Sequence, residues 1–139
     1  VTITRQAVKK TGLVYVGIAN KAIKYANGKS SRIVYIGTTQ GSAARIAASA
    51  ANKAGDLLGF FGIRHLEFYV VTSSGIRGVK TWEILERGLL ITFRELYGEP
   101  PLCNKQGLRT QWKDELEYFT QNGLKSVIEK YSNLGKQVS

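Results

Sequence analysis

Gly12-Leu13-Val14-Tyr15-Val16-Gly17-Ile18-Ala19 and Arg32-Ile33-Val34-Tyr35-Ile36-Gly37 are the two stretches whose reading decides the fold. Both are rich in β-branched and aromatic residues, which fit a pleated, half-buried surface. Val14, Val16 and Ile18 fall on one face of the first stretch, two residues apart. The segment between the two stretches, Asn20 to Ser31, is polar and basic and reads as a loop. Two strands so close in sequence pair most simply as an antiparallel hairpin with a long tip.

Outward from this hairpin the pattern changes. Thr38-Thr39-Gln40-Gly41-Ser42 is a cluster of cap and turn residues, and the alanine-rich run Ala43 to Ala54 after it reads as a helix. His65 to Thr72 reads as a third strand. From Lys80 to Tyr97 the apolar residues Trp82, Leu85, Leu89, Phe93 and Leu96 recur at helical spacing, and Gly98 with Pro100-Pro101 ends the pattern. Two shorter helical patterns follow, near Thr110 to Gln121 and Leu124 to Leu134, split by Asn122-Gly123. The expected class is α+β: a small three-stranded antiparallel sheet flanked by helices, with extra helices at the C-terminal end. The 139 residues suit one domain.

Charge carries the next inference. The formal net charge is +10, and Arg5, Lys9, Lys10, Lys21, Lys24, Lys29, Arg32, Arg45 and Lys53 all precede the first acid, Asp56. One-sided positive charge is the footprint of a protein that binds a polyanion, so a nucleic-acid partner is expected. No apolar run approaches the roughly 18 residues of a membrane span, so no membrane partner is expected. The single cysteine, Cys103, suits a reducing, intracellular setting. The lone His65 has no metal-spaced partner in Cys103.

Tyr35-Ile36-Gly37, the degenerate Gly12-Leu13-Val14-Tyr15, Arg45 ten residues after Tyr35, Glu86 on the long helix and Pro101-Leu102-Cys103-Asn104 beyond it form an ordered set. In that set the chain resembles the GIY-YIG endonuclease superfamily over roughly residues 12–104, leaving 105–139 as a C-terminal helical extension. The resemblance implies a divalent-metal-dependent endonuclease that hydrolyses DNA with a water nucleophile, leaving 5′-phosphate and 3′-hydroxyl ends. Glu86 would bind Mg²⁺ (or Mn²⁺), which keeps several waters and so tolerates one protein carboxylate. Glu83, one turn earlier, is the second choice. Arg45 would hold the phosphate with its planar fork. Tyr15 and Tyr35 would orient the water. Gly37 would permit close backbone approach, Lys24 and Lys29 would contact substrate from the hairpin loop, and Asn104 would tie the loop after the helix to the site. Cleavage of both strands would call for a homodimer. Ser49 stands where many members carry a histidine or tyrosine, and this leaves a second expectation, a catalytically inactive nucleic-acid-binding module on the same scaffold.

Overall fold

The structure, a computed structural model, describes residues 13–39, 62–63, 66–73, 75–104 and 111–134. The helix expected near 43–54, with Arg45 and Ser49, and the position of His65 lie outside the described residues. Among the described residues, β1 (Leu13–Lys24), β2 (Ser30–Thr39) and β3 (Leu66–Val71) form an antiparallel sheet in the order β2-β1-β3. Three helices accompany it among the same residues: α1 (Thr81–Tyr97), the single turn α2 (Glu115–Tyr118) and α3 (Gln121–Ser132). This is the α+β architecture expected.

β1 is the middle strand, and every residue from Leu13 to Ala19 is buried. A strand covered on both faces needs no polar alternation, which is why Leu13-Val14-Tyr15-Val16 runs apolar without a break. The hairpin corrects one expectation. Asn20–Ser31 is not a loop: β1 continues to Lys24 and β2 begins at Ser30, with Ile23 opposite Ser31 and Lys24 opposite Ser30. Only Tyr25–Lys29 turns, with Gly28 at φ 90° and the Tyr25 N–H donating to Lys29 O at 2.8 Å. The register shift between Ile18 and Ile23 absorbs the polar run on β1 as a bulge, and the shift between Gly17 and Ile18 leaves Val34 as the extra residue on β2. Asn20, Lys21, Ala22 and Lys24 are exposed, and solvent-facing strand residues have the same composition as a loop.

The turn is tied to α1. The Asn27 N–H and Nδ2 donate to Tyr97 O at 3.2 Å and Leu96 O at 2.6 Å, meeting two carbonyls the helix end leaves open. Gly98, in the left-handed conformation at φ 83°, closes α1 with its N–H on Arg94 O at 2.8 Å. Tyr25 packs edge-on to Phe93 at 5.0 Å between ring centroids, and Phe93 stacks on Tyr97 at 4.6 Å. The Tyr25 hydroxyl donates to Ile33 O at 2.6 Å and accepts from the Leu102 N–H at 3.2 Å.

On α1, Leu85, Leu89 and Phe93 are buried as expected, Trp82 and Leu96 partly so, and Ile84, Gly88, Leu90 and Ile91 widen the covered face. The helix expected over Thr110–Gln121 shrinks to α2, and Asn122-Gly123 does not separate two helices. Both residues sit in the first turn of α3, where Thr120 caps by accepting from the Gly123 N–H at 3.0 Å. Asparagine and glycine are poor helix residues, but a good N-cap just ahead of them outweighs that weakness. Leu124, Ile128 and Tyr131 of α3 join the same core as the sheet and α1. Leu124 lies against Gly88, where an added Cβ would stand 3.0 Å from Leu124 Cδ1.

Candidate active site at the open edge of the hairpin

Tyr15 pairs with Gly37 of β2 and Val70 of β3, and Gly17 pairs with Tyr35 and Phe68. Side chains alternate along a strand and cross-strand partners share a face, so Tyr15, Tyr35 and Phe68 lie on one face of the sheet. Two glycines clear that face for the Tyr35 ring. A Cβ on Gly17 would stand 2.9 Å from Phe68 Cε1 and 3.3 Å from Tyr35 Cβ, and one on Gly37 would collide with the Tyr35 ring and hydroxyl. The group that approaches Gly37 closely is therefore Tyr35 itself, two residues back. Its phenol is laid along β2 with its edge toward Phe68, ring centroids 6.3 Å apart. This gives the Tyr-Ile-Gly spelling a physical reason: any larger residue at 37 displaces the hydroxyl.

Among the described residues β2 is an edge strand, and its outward N–H and C=O groups recur at alternate residues. Val34 O accepts from the Cys103 N–H at 2.8 Å. Ile36 donates its N–H to Asn104 Oδ1 at 3.0 Å, and Asn104 Nδ2 donates to Ile36 O at 2.7 Å. Pro101–Asn104 thus acts as a short substitute strand, held by the Asn104 N–H on Pro101 O at 2.9 Å. Continuing outward by two residues, the N–H and the hydroxyl of Thr38 both donate to the carboxyl of Glu86, delivered from α1.

Burial pushes the pKa of the Glu86 carboxyl up. The Thr38 hydroxyl and then its N–H pull it back down, the charge of Glu83 raises it, and Arg87 lowers it least. Arg87 has other partners, Asp114 and Glu115, each at 3.5 Å. The ionised form of Glu86 is thus a partly buried anion beside a second carboxylate, the setting in which a bound cation is favoured. Thr38 follows Gly37 directly, so its side chain lies with Val14 and Val71 on the face opposite Tyr15 and Tyr35, and the Tyr35 hydroxyl and the Glu86 carboxyl stand on the two sides of one peptide unit. Chain geometry and hydrogen-bond length keep them within about 10 Å of each other.

Tyr15, Tyr35, Gly37, Glu86 and Asn104 therefore gather at one end of the hairpin. Lys24 and Lys29 do not. Both are exposed at the turn, with Lys24 opposite Ser30, roughly 20 Å along β2 from Gly37. The Asn104 amide is directed at protein backbone, which makes it a brace for β2. Arg45 lies outside the described residues. The sequence reading missed Thr38 by assigning it to a turn. Its signal was a β-branched residue following Tyr35-Ile36-Gly37 without a breaker.

Among the described residues no three or more of His, Cys, Asp and Glu cluster in a way that would hold a metal. That donor set does not suit Zn²⁺, which takes three or four protein ligands. One carboxylate with waters completing the shell is a donor set that Mg²⁺ or Mn²⁺ accepts. Also among the described residues, no helix is long and apolar enough to cross a membrane. No known protein family, curated protein or solved structure matches the chain.

Proposed function

We propose that the chain is a divalent-metal-dependent DNA endonuclease whose site is the strand end formed by Tyr15, Tyr35, Gly37, Thr38 and Glu86. One observation carries the reading: a helix-borne carboxyl, disfavoured as an anion by burial, meets the β2 backbone beside the peptide over which the Tyr35 hydroxyl lies. Supporting it is the unbroken positive charge of the first 55 residues, which suits a phosphate backbone.

In this reading each residue has a distinct task. Glu86 holds Mg²⁺ or Mn²⁺ through the carboxylate lone pairs that Thr38 leaves open, since an ionised carboxylate has about four acceptor sites. The metal, when bound, supplies Lewis acidity at the phosphate and helps the leaving oxygen. Tyr35 and Tyr15 orient the attacking water, Tyr35 from a hydroxyl fixed by its fit over Gly37. Arg45 holds the phosphate and offsets its growing charge. Attack at phosphorus with departure of O3′ leaves a 5′-phosphate and a 3′-hydroxyl. Lys24 and Lys29, at the far end of the hairpin, contact backbone away from the cut. Cutting both strands calls for two sites, hence a homodimer, and the single cysteine with a DNA substrate fits an intracellular setting.

A second reading has its own observation. Thr38 already satisfies Glu86, so the carboxyl can serve as an edge cap in a nucleic-acid-binding scaffold that cuts nothing. Nicking of supercoiled plasmid separates the two. The nuclease reading expects nicking that needs Mg²⁺ or Mn²⁺, stops with chelator, and falls about 100-fold or more in Glu86→Gln and in Arg45→Ala. Equal trace nicking in all three proteins would leave the binding scaffold.

A further inference from the structure

We propose that the tip between β3 and α1, Gly75–Lys80, is a wedge that enters the minor groove of duplex DNA and pushes Ile76 between two base pairs. The inference rests on the nucleic-acid half of the reading above and is independent of cleavage.

The tip has a defined shape. Arg77-Gly78 is a two-residue turn: Gly78 stands at φ 76°, the Val79 N–H donates to Ile76 O at 3.0 Å, and Ile76 and Val79 form an antiparallel bridge. A positive φ at the third of four residues is what a type II turn demands, and glycine supplies it without strain. At the base of the tip the Ser73 and Thr81 hydroxyls share a hydrogen bond at 2.8 Å. Thr81 is buried and opens α1, so the stem is fixed to that helix. Beyond the stem the tip stands clear. Among the described residues, a Cβ added at Gly75 or Gly78 would meet nothing within 4 Å.

What the tip displays is one apolar side chain among cations. Ile76 is 48% exposed, more than any other large hydrophobic residue among those described. Single exposed apolar residues are common, but tight turns are dominated by Gly, Pro, Asn, Asp and Ser, and this one opens with isoleucine. Arg77 and Lys80 are exposed beside it, and no acid occurs between Glu67 and Glu83. An apolar wedge accompanied by Arg and Lys is the combination that opens a base step from the minor groove, with the cations on the groove edge and the phosphates. Two other partners for an apolar, cationic tip fit less well. An anionic membrane needs more apolar area than one isoleucine, since even a whole acyl chain anchors only marginally. A protein partner needs a face of about 20 residues, far more than Gly75–Lys80 presents.

The test measures binding in metal-free buffer with chelator, so that nothing is cut. Its probe is a duplex of about 20 alternating T-A base pairs, whose steps unstack readily, with 2-aminopurine replacing central adenines. Fluorescence of 2-aminopurine rises on unstacking, and anisotropy of an end label gives the affinity. Wild type should bind and raise the fluorescence about twofold or more. Ile76→Ala should bind within about threefold of wild-type affinity, because phosphate contacts carry most of it, yet lose most of the rise. Ile76→Leu keeps an apolar wedge and should restore the rise. Arg77→Gln should lower the slope of log affinity against log salt by about 1. These side chains are exposed, so melting temperatures should match wild type. The proposal is overturned if wild type binds without a rise, or if Ile76→Ala gives the wild-type rise. Vesicles of phosphatidylserine and phosphatidylcholine form the control arm: binding to them that needs Ile76, with a DNA signal that does not, assigns the tip to membrane and overturns the proposal. A wild type that fails to bind duplex at low salt sinks the DNA reading as well. A wild type that nicks DNA and never unstacks it sinks this inference alone.

Discussion

Replacing Asn104 by alanine removes the two hydrogen bonds that brace the outer edge of β2. The Ile36 N–H loses Oδ1 at 3.0 Å and Ile36 O loses Nδ2 at 2.7 Å. Each backbone group is partly shielded, and leaving such a group without its partner costs about 1–3 kcal/mol. Water reaches part of this edge, which favours the lower half of that range, so the pair is worth about 2–4 kcal/mol. For a chain of this length about 1 kcal/mol shifts the melting temperature by roughly 3–5 °C, so Asn104→Ala should melt roughly 10 °C lower. Asn104→Asp keeps the shape and can still accept from the Ile36 N–H, but it turns an acceptor toward Ile36 O. It should lose at least half as much at neutral pH. Thermal and urea melts followed by circular dichroism measure both variants, and an unchanged urea slope would show that the effect is on the folded state. Nicking assayed well below the lower melt should leave KM for DNA unchanged, because the amide faces protein backbone. An Asn104→Ala melt within about 1 kcal/mol of wild type would refute the edge-brace reasoning. So would a raised KM with undiminished stability, which would return Asn104 to the substrate.

Two other predictions address the site. Glu86 holds its proton more tightly folded than unfolded, so the stability it contributes is complete below its ordinary value of 4.5 and is lost as pH rises through the higher folded value. In metal-free buffer Glu86→Gln should therefore gain on wild type in melting temperature as pH rises from 4.5 toward 8, and a flat difference across that range would contradict the burial argument. Gly37→Ala should fold within about 1 kcal/mol of wild type, because the Tyr35 ring can swing aside, yet nick about 100-fold more slowly, matching Tyr35→Phe. Full activity in Gly37→Ala would remove the Tyr35 hydroxyl from the site.

How much of this was legible in the sequence depended on what each residue type encodes. Val14, Val16, Ile33 and Ile36 announced two strands because short runs of β-branched and aromatic residues have few other uses. The extent of those strands did not show, since Asn20, Lys21 and Lys24 would look the same in an exposed strand as in a loop. The α1 helix was clear from Leu85, Leu89 and Phe93 and from its Gly98 stop. The start of α3 was hidden because Asn122-Gly123 reads as a breaker until Thr120 is seen to cap it. At the site, Tyr35, Gly37, Glu86 and Asn104 were visible as spaced motif residues. Some of their relations were not: that Asn104 pairs with Ile36 and that the Thr38 N–H turns outward depend on β2 lying at the edge of the sheet among the described residues. The order of strands in a sheet is set by long-range packing, which spacing along one chain does not record.

The central claim is that Glu86 binds a divalent cation beside the Tyr35 hydroxyl. A crystal soaked in Mn²⁺ and measured at the manganese absorption edge tests it most directly. The account predicts one anomalous peak about 2 Å from a Glu86 carboxylate oxygen, with the other bonds of the carboxylate still made to Thr38. A peak elsewhere, or a Glu86 bonded to Thr38 with no peak at saturating Mn²⁺, would contradict it.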